Sequence, residues 1–204
     1  VPGVAARLEW LSVVSGIDLI EHGTRSDAET IRDTAIAQPL LVGAGLVTLL
    51  ALFPHPAEAF TRVSVGAGHS VGEITAATAA GVLTAEQAMV FVRERGRAMA
   101  NAAALAPTGM SAVLGGDAED ILTAASALGL TAANMNGAGQ IVLAGSLTAL
   151  AEFADSPPEK ARVRPLQVAG AFHTDVMAPA VEVLKRYARS VSTHDSRINL
   201  LSNA

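Results

Sequence analysis

The chain has 204 residues, half of them apolar, enough to bury the core of one sizeable domain or of a domain with a small insert. Its formal net charge of −5 argues against a nucleic-acid binder that depends on phosphate contacts. The lack of cysteine excludes a disulfide framework, a thiolate metal site and a cysteine nucleophile, and is compatible with a cytoplasmic protein.

The N-terminal part of the chain is predicted to be helical. Apolar residues at helical spacing predict an amphipathic helix over 4–14, and Val1-Pro2-Gly3 before it does not resemble a secretory leader. Ser26-Asp27-Ala28-Glu29 has the pattern of a capping box and predicts the start of a short helix.

The most apolar run of the sequence lies at 39–53. It is shorter than the roughly 18–20 residues that a membrane span needs. Pro39 at its beginning and Pro54 after its end are typical of a helix start and a helix stop. The run therefore predicts a buried core helix and no membrane segment.

A predicted strand at 62–67 leads into Gly68-His69-Ser70-Val71-Gly72, and an Ala-rich helix is predicted at 71–80. A serine at the apex of a sharp strand-to-helix turn is the context of a nucleophile elbow. Gly68 and Gly72 are expected to let neighbouring backbone pass, and the first amides of the helix would stabilise an oxyanion. The alternative is an ordinary glycine-rich turn.

The next helix carries an arginine within an apolar stripe. A second capping-box pattern, Thr84-Ala85-Glu86-Gln87, predicts a helix that reaches about Ala104. Arg95 lies on the apolar stripe of that helix, where a guanidinium needs an anionic partner. An internal carboxylate such as Glu73 or a ligand carboxylate could supply it, and the stripe alone slightly favours the internal pair.

After a break at Pro107-Thr108-Gly109, the pattern becomes strand, helix, strand, strand, helix, strand. This order predicts a ferredoxin-like subdomain at 109–168, inserted into an α/β main domain made of 1–108 and 169–204. The fold class is therefore α/β, with an α/β-hydrolase-like main domain that has a parallel sheet and a nucleophile elbow.

A serine nucleophile needs a base, and His173 is the best candidate of the five histidines because an apolar approach leads to it. A structural histidine is the alternative. No acidic third member of a triad is evident. Asn134 and Asn136, in a glycine-rich stretch, are more simply explained by turn chemistry than by ligand binding.

Four motifs in order carry a resemblance to a known family. The motifs are Gly68-His69-Ser70-Val71-Gly72-Glu73, Arg95-Gly96-Arg97-Ala98-Met99, Asn134-Met135-Asn136-Gly137-Ala138-Gly139-Gln140-Ile141-Val142 and Gly170-Ala171-Phe172-His173-Thr174. Together they resemble malonyl-CoA:acyl-carrier-protein transacylases of type II fatty-acid synthesis, to which the acyltransferase domains of polyketide synthases are closely related. The likeness covers essentially the whole chain.

The resemblance implies a ping-pong acyl transfer without a cofactor or a metal. Malonyl-CoA acylates Ser70 with His173 as base and the Val71 amide as one oxyanion donor, and the phosphopantetheine thiol of acyl carrier protein then accepts the malonyl group. Arg95 matches the arginine that pairs with the malonyl carboxylate. The resemblance therefore favours a ligand carboxylate, rather than an internal one such as Glu73, as the partner of Arg95.

The family pattern also assigns residues to the acyl pocket. Phe172 matches a bulky ring that leaves little room for an α-methyl group. Met99 and Asn134 match pocket-lining positions.

In the family, an N-terminal strand carries a Gly-Gln-Gly-Ser-Gln loop, whose glutamine supplies the second oxyanion donor. The sequence lacks this strand and loop, and it also lacks the family's C-terminal segment. We therefore expect this chain alone to be weak or inactive, because one oxyanion donor is worth roughly 10²–10³ in rate. Three alternatives are a polyketide-pathway acyltransferase, a general serine esterase and a catalytically weak module that only docks carrier protein.

Overall fold

The computed structural model describes residues 3–137 and 139–203, so the expectations for Val1, Pro2, Ala138 and Ala204 lie outside the described residues. The chain divides into two compact units. The first consists of residues 1–97 and 183–204, and the second of residues 98–182.

The described residues form α-helices, short 3-10 helices and strands that we number in chain order. The helices are α1 (Val4–Ser15), α2 (Leu19–Thr24), α3 (Thr34–Leu52), α4 (Pro56–Arg62), α5 (Gly72–Ala79), α6 (Ala85–Ala103), α7 (Ala118–Ala127), α8 (Leu147–Asp155) and α9 (Ala178–Ala188), with 3-10 helices at Thr30–Arg32 and Asp175–Met177. The strands are β1 (Val65–Ala67), β2 (Thr108–Leu114), β3 (Thr131–Met135), β4 (Gln140–Ser146), β5 (Arg162–Pro165) and β6 (Asn199–Leu201).

One of the two predicted capping boxes is present. Thr84 Oγ1 accepts from the Gln87 amide at 3.2 Å, and Gln87 Oε1 accepts from the Thr84 amide at 2.8 Å, so α6 begins as predicted. The prediction at Ser26 is wrong. There Asp27 Oδ1 accepts from the Thr30 amide at 2.8 Å and begins only a 3-10 turn. Helix α2 was not predicted.

Helix α3 begins earlier than its proline suggested. The side chain of Asp33 caps it by accepting from the Ala35 amide at 2.8 Å, and Pro39 lies inside the helix. The prediction that Pro39 starts the helix is therefore wrong. A proline inside a helix removes one backbone hydrogen bond, a cost of about 3 kcal/mol that tertiary packing must offset.

That packing comes from the core of the first unit. The buried residues of α3 follow helical spacing and face α1, α2, α5 and α6; the larger side chains of this core are Leu11, Leu19, Val42, Leu46, Val47, Ile74, Met89 and Val92. By length and composition α3 is also the helix of the described chain that could cross a membrane. One stripe of α3 is buried in the core of the first unit.

The first unit also holds a small parallel sheet. β1 pairs with β6 in the register Val65↔Asn199, Gly66↔Leu200 and Ala67↔Leu201. Parallel strands end at the same edge, so the residues that follow β1 and β6 meet there.

The second unit is built on a four-stranded antiparallel sheet with strand order β3-β4-β2-β5. The chain passes through it as strand, helix, strand, strand, helix, strand. Its core lies between the sheet and helices α7 and α8, with Val113, Ile121, Leu143 and Phe153 fully buried.

Candidate active site

Ser70 lies in the turn between β1 and α5. A Cβ atom on Gly68 would lie 2.1 Å from the carbonyl oxygen of Gly72, so only glycine fits at position 68. A Cβ on Gly72 would meet open space. The expectation that both glycines are needed for close backbone approach is therefore confirmed for Gly68 and wrong for Gly72.

The backbone of Ser70 is strained. Its φ is 53°, in the left-handed region of backbone conformation that residues other than glycine rarely adopt. Among the described residues, the other non-glycine positions with positive φ are Lys160 and His173. Strain of this kind costs about 1–3 kcal/mol and clusters at functional sites. Two of the three positions are thus the sequence-predicted nucleophile and base.

The hydroxyl of Ser70 is in direct contact with Arg95. Arg95 Nη2 donates to Ser70 Oγ at 3.1 Å, and Arg95 Nη1 donates a short hydrogen bond to Gln38 Oε1. Gln38 is 5 % exposed. A buried amide therefore fixes one edge of the guanidinium, and the other edge lies on the serine.

Helices α3 and α6 approach closely enough to bring Gln38 to Arg95. A Cβ on Gly96 would lie 2.5 Å from the carbonyl oxygen of Thr34, and Thr34 Oγ1 donates to the Gly96 carbonyl at 3.0 Å. The glycine next to Arg95 thus allows the two helix backbones to touch.

The charge of Arg95 has no ion-pair partner among the described residues. Burial lowers the pKa of its guanidinium, and the negative charge of Glu73 partly opposes that effect. The internal ion pair with Glu73 is not formed. Glu73 instead accepts hydrogen bonds from the Asn203 amide and the Ser202 hydroxyl.

The segment after β6 was not predicted to belong to the site. Asn203 Oδ1 accepts from the Ser70 amide at 3.0 Å. Gln38 was also not assigned a role. Two signals could have found them: Gln38 interrupts the apolar stripe of α3, and Asn203 follows β6 where Ser70 follows β1.

His173 and Phe172 belong to the second unit. His173 is exposed with φ 59°, and Phe172 is half-buried against a cluster that includes Met110 and Val142. The turn is anchored because the Ala171 amide donates to Thr108 Oγ1 at 3.1 Å, and Thr174 Oγ1 donates to the Ala171 carbonyl at 2.7 Å.

The remaining predicted pocket residues are Met99 and Asn134. Met99 is 7 % exposed on α6. Asn134 lies in β3 opposite Val142, at an irregularity in the register that begins at Ala132. Asn134 is thus part of a strand, while Asn136 lies in the turn and donates to Gln140 Oε1 at 3.0 Å.

The described residues contain no group of three or more His, Cys, Asp or Glu side chains that could hold a metal ion.

Comparison with known proteins defines the class. The sequence profile described as the acyl transferase domain matches residues 9–203, and the chain belongs to this family. It is 49 % identical over 203 residues to the malonyl CoA-acyl carrier protein transacylase of Mycolicibacterium smegmatis, covering 100 % of this chain and 69 % of that protein.

The fold of the chain is also similar to solved structures of malonyl transacylases. The crystal structure of MCAT from Mycobacterium tuberculosis is similar with a TM-score of 0.92 and 47 % identity, covering 100 % of this chain and 67 % of that one. A malonyl-transacylase in complex with a type II polyketide-synthase acyl-carrier protein is similar with a TM-score of 0.89 and 26 % identity, covering 100 % and 67 %. The chain therefore spans about two thirds of the length of these relatives.

Proposed function

We propose that the protein is an acyltransferase that moves the malonyl group from malonyl-CoA to the phosphopantetheine thiol of acyl carrier protein, for fatty-acid biosynthesis. The similarity to malonyl CoA-acyl carrier protein transacylases over the whole chain supports the substrate pair. The observation that carries the proposal is the guanidinium of Arg95 beside the hydroxyl of Ser70.

Ser70 is the nucleophile. Its Oγ forms an ester bond with the malonyl carbonyl carbon, its proton passes to His173, and the C–S bond breaks as CoA leaves and takes that proton as its thiol. The carrier thiol then attacks the ester, and its proton returns to Ser70 through His173. The two substrates are malonyl-CoA and the phosphopantetheine thiol of acyl carrier protein, so the reaction needs no cofactor.

The amide of Val71 is one oxyanion donor. Val71 caps α5, and its amide makes no hydrogen bond within the described residues, whereas the Ser70 amide is taken by Asn203. A free amide at a helix N-terminus next to the nucleophile suits a developing negative charge.

Arg95 binds the malonyl carboxylate. A half-buried guanidinium with no ion-pair partner in the described part of the chain gains most from a ligand carboxylate held in two parallel hydrogen bonds. Its contact with Ser70 Oγ places that charge next to the bond-forming atom. The acyl group selected would therefore carry a terminal carboxylate.

His173, Phe172, Met99 and Asn134 complete the proposed site on the strength of the motif match. The strained, exposed His173 supports a role as base, and Phe172 would limit the space at the α-carbon of the acyl group. Met99 and Asn134 would line the pocket.

At the level of fold, we propose a hydrolase-like nucleophile elbow at Ser70. The strand–turn–helix context and the strained φ of Ser70 support it. We also propose a ferredoxin-like insert at 109–168 within a main domain of 1–108 and 169–204, supported by the strand order of the antiparallel sheet. The use of CoA thioesters supports a cytoplasmic location.

The carrier protein needs a docking surface. Acyl carrier proteins are strongly acidic, so a basic patch should contact them. The exposed Arg162 and Arg164 of the edge strand β5, with Lys160, form one candidate; Lys185, Arg186 and Arg189 form the other. Because one similar structure is a complex with a polyketide-synthase carrier, a polyketide carrier is the second candidate acceptor.

Intact-mass spectrometry of this chain with malonyl-CoA and with acetyl-CoA tests the proposal. We expect slow formation of one malonyl adduct per chain, because the chain alone should be a weak enzyme. The adduct should be absent from Ser70→Ala and should form more slowly still in His173→Ala. Acetyl labelling at the malonyl rate would favour a general esterase. Carrier binding without any adduct would favour a docking module.

A further inference from the structure

The residues that follow β6 are tied to the nucleophile turn. The side-chain oxygen Oδ1 of Asn203 accepts from the backbone amide of Ser70 at 3.0 Å, and the backbone amide of Asn203 donates to Glu73 Oε1 at 2.7 Å. The Glu73 amide in turn donates to the Ser70 carbonyl at 3.1 Å. Three hydrogen bonds therefore close a ring through Ser70, Asn203 and Glu73, which we call the Asn203 clasp.

We propose that Asn203, through this clasp, is a positioning residue that holds Ser70 in its reactive conformation. The inference rests on the proposed function, because it concerns the rate at which Ser70 is acylated. Asn203 does not touch the acyl group in this role. It acts on the backbone of the nucleophile.

Backbone strain is the reason that a clasp is needed. A serine at φ 53° relaxes toward the ordinary negative-φ regions unless neighbouring groups hold it. The Ser70 amide and carbonyl are the two groups that rotate with this dihedral angle, and the clasp binds both. The direction of the Ser70 Cα–Cβ bond, from which Oγ extends, is set by the same backbone.

The clasp also divides the amides at the turn between two tasks. Because the Ser70 amide is bound by Asn203, it cannot point at a developing oxyanion. The next amide, on Val71, is left for that purpose. Rotation of the Ser70 backbone would move both the hydroxyl and the Val71 amide out of place.

The parallel register explains why Asn203 can reach Ser70. Ala67 and Leu201 are paired, and Ser70 lies three residues beyond the first, Asn203 two beyond the second. The two chains leave the same edge of the sheet side by side. Glu73, in the first turn of α5, closes the ring because its carboxylate accepts from the backbone amide of Asn203 at 2.7 Å. The same carboxylate also accepts from Ser202 Oγ at 3.2 Å.

The test compares three variants of this chain with the parent protein: Asn203→Ala, Asn203→Asp and Asn199→Ala. Asn203→Ala removes the acceptor for the Ser70 amide, and Asn203→Asp retains an oxygen acceptor. Asn199→Ala is a matched control, since Asn199 is an exposed asparagine on β6 of the same segment. The readouts are the rate and the final stoichiometry of malonyl-serine formation by intact mass, and hydrogen exchange of the peptide around Ser70.

We expect Asn203→Ala to lower the acylation rate constant by about 10- to 100-fold, because small displacements of a reacting group have effects of this size. Labelling should still reach one malonyl group per chain, since misplacement slows the reaction without removing the nucleophile. Asn203→Asp should recover most of the rate, and Asn199→Ala should match the parent. The Ser70 amide should exchange faster in Asn203→Ala.

Two outcomes would overturn the inference. One is an unchanged rate per labelled chain in Asn203→Ala. The other is a lower final stoichiometry at an unchanged rate, which identifies loss of folded protein rather than of positioning. If the parent chain takes no malonyl group, malonyl transfer is not an activity of these 204 residues alone, and the hydrogen-exchange comparison still decides whether Asn203 holds the Ser70 turn.

Discussion

The guanidinium of Arg95 lies on the hydroxyl of Ser70, with Nη2 donating to Oγ at 3.1 Å. A positive charge at this distance would stabilise negative charge on the serine oxygen, and in the proposed function it also binds the ligand carboxylate. The same guanidinium is held from behind by Gln38, which is buried in α3. The orientation of Arg95 therefore depends on the packing of α3 against α6.

Arg95→Ala should remove the preference for malonyl-CoA over acetyl-CoA. Loss of two charge-assisted hydrogen bonds to the carboxylate should lower acylation by malonyl-CoA about 100-fold and affect acetyl-CoA far less. Rates of adduct formation with the two thioesters measure this. Arg97→Ala is the matched control, because Arg97 is half exposed and lies 3.7 Å from Glu94. An intact malonyl preference in Arg95→Ala would contradict the role given to this residue.

Gln38→Glu should impair malonyl transfer although the acceptor for Arg95 is retained. A carboxylate at position 38 would form a buried ion pair with Arg95 and compete with the ligand carboxylate. We expect KM for malonyl-CoA to rise about tenfold, with a smaller change for acetyl-CoA. Equal effects on both thioesters would show that Gln38 acts on the fold and not through Arg95.

The sequence predicted the elements whose signal is local. The helix that starts at Thr84 follows from a reciprocal capping pattern, and the turn at Ser70 follows from a glycine that backbone contact requires. The start of α3 was mispredicted because Pro39 is tolerated inside a helix where tertiary packing offsets its cost. The cap at Asp33 was the better signal.

The connections that complete the site are long-range. Asn203 reaches Ser70 only because β6 pairs with β1 across more than a hundred residues, and no local pattern encodes that register. Gln38 and Arg95 meet because Gly96 lets two helices touch. Glu73 was expected to pair with Arg95, but the Asn203 and Ser202 donors bind its carboxylate instead.

Gly68→Ala and Gly72→Ala should differ sharply in stability. A Cβ at position 68 would overlap the Gly72 carbonyl at 2.1 Å, so the turn must open, at a cost of at least about 2 kcal/mol. A Cβ at position 72 meets open space, and alanine suits a helix better than glycine. Gly72→Ala should therefore raise the free energy of unfolding, by at most about 1 kcal/mol. Denaturant unfolding of both variants measures the difference, and equal losses would contradict the role given to Gly68.

Glu94 should make stability depend on acidic pH. Burial alone raises the pKa of Glu94, but hydrogen bonds from Arg93 and Tyr187 and the charges of Arg93 and Arg97 outweigh it and hold the pKa below its ordinary value. A carboxylate with a depressed pKa in the folded state contributes stability above its unfolded pKa, and that contribution disappears as pH falls through the folded pKa.

Glu94→Gln should therefore lower the thermal midpoint near neutral pH and lose less of it on acidification below about pH 4.5. Loss of the negative charge that accepts from Arg93 Nε at 2.7 Å should cost about 1 kcal/mol, or about 2–4 °C for a chain of this length. Glu159→Gln is the control, because Glu159 is 87 % exposed and its 3.5 Å pair with Lys160 lies in solvent. We expect the two pH profiles to converge at low pH, because the protonated carboxyl group of Glu94 and the amide of the glutamine are then both neutral. Parallel pH profiles for the parent chain and Glu94→Gln would show that the charge of Glu94 does not contribute to stability.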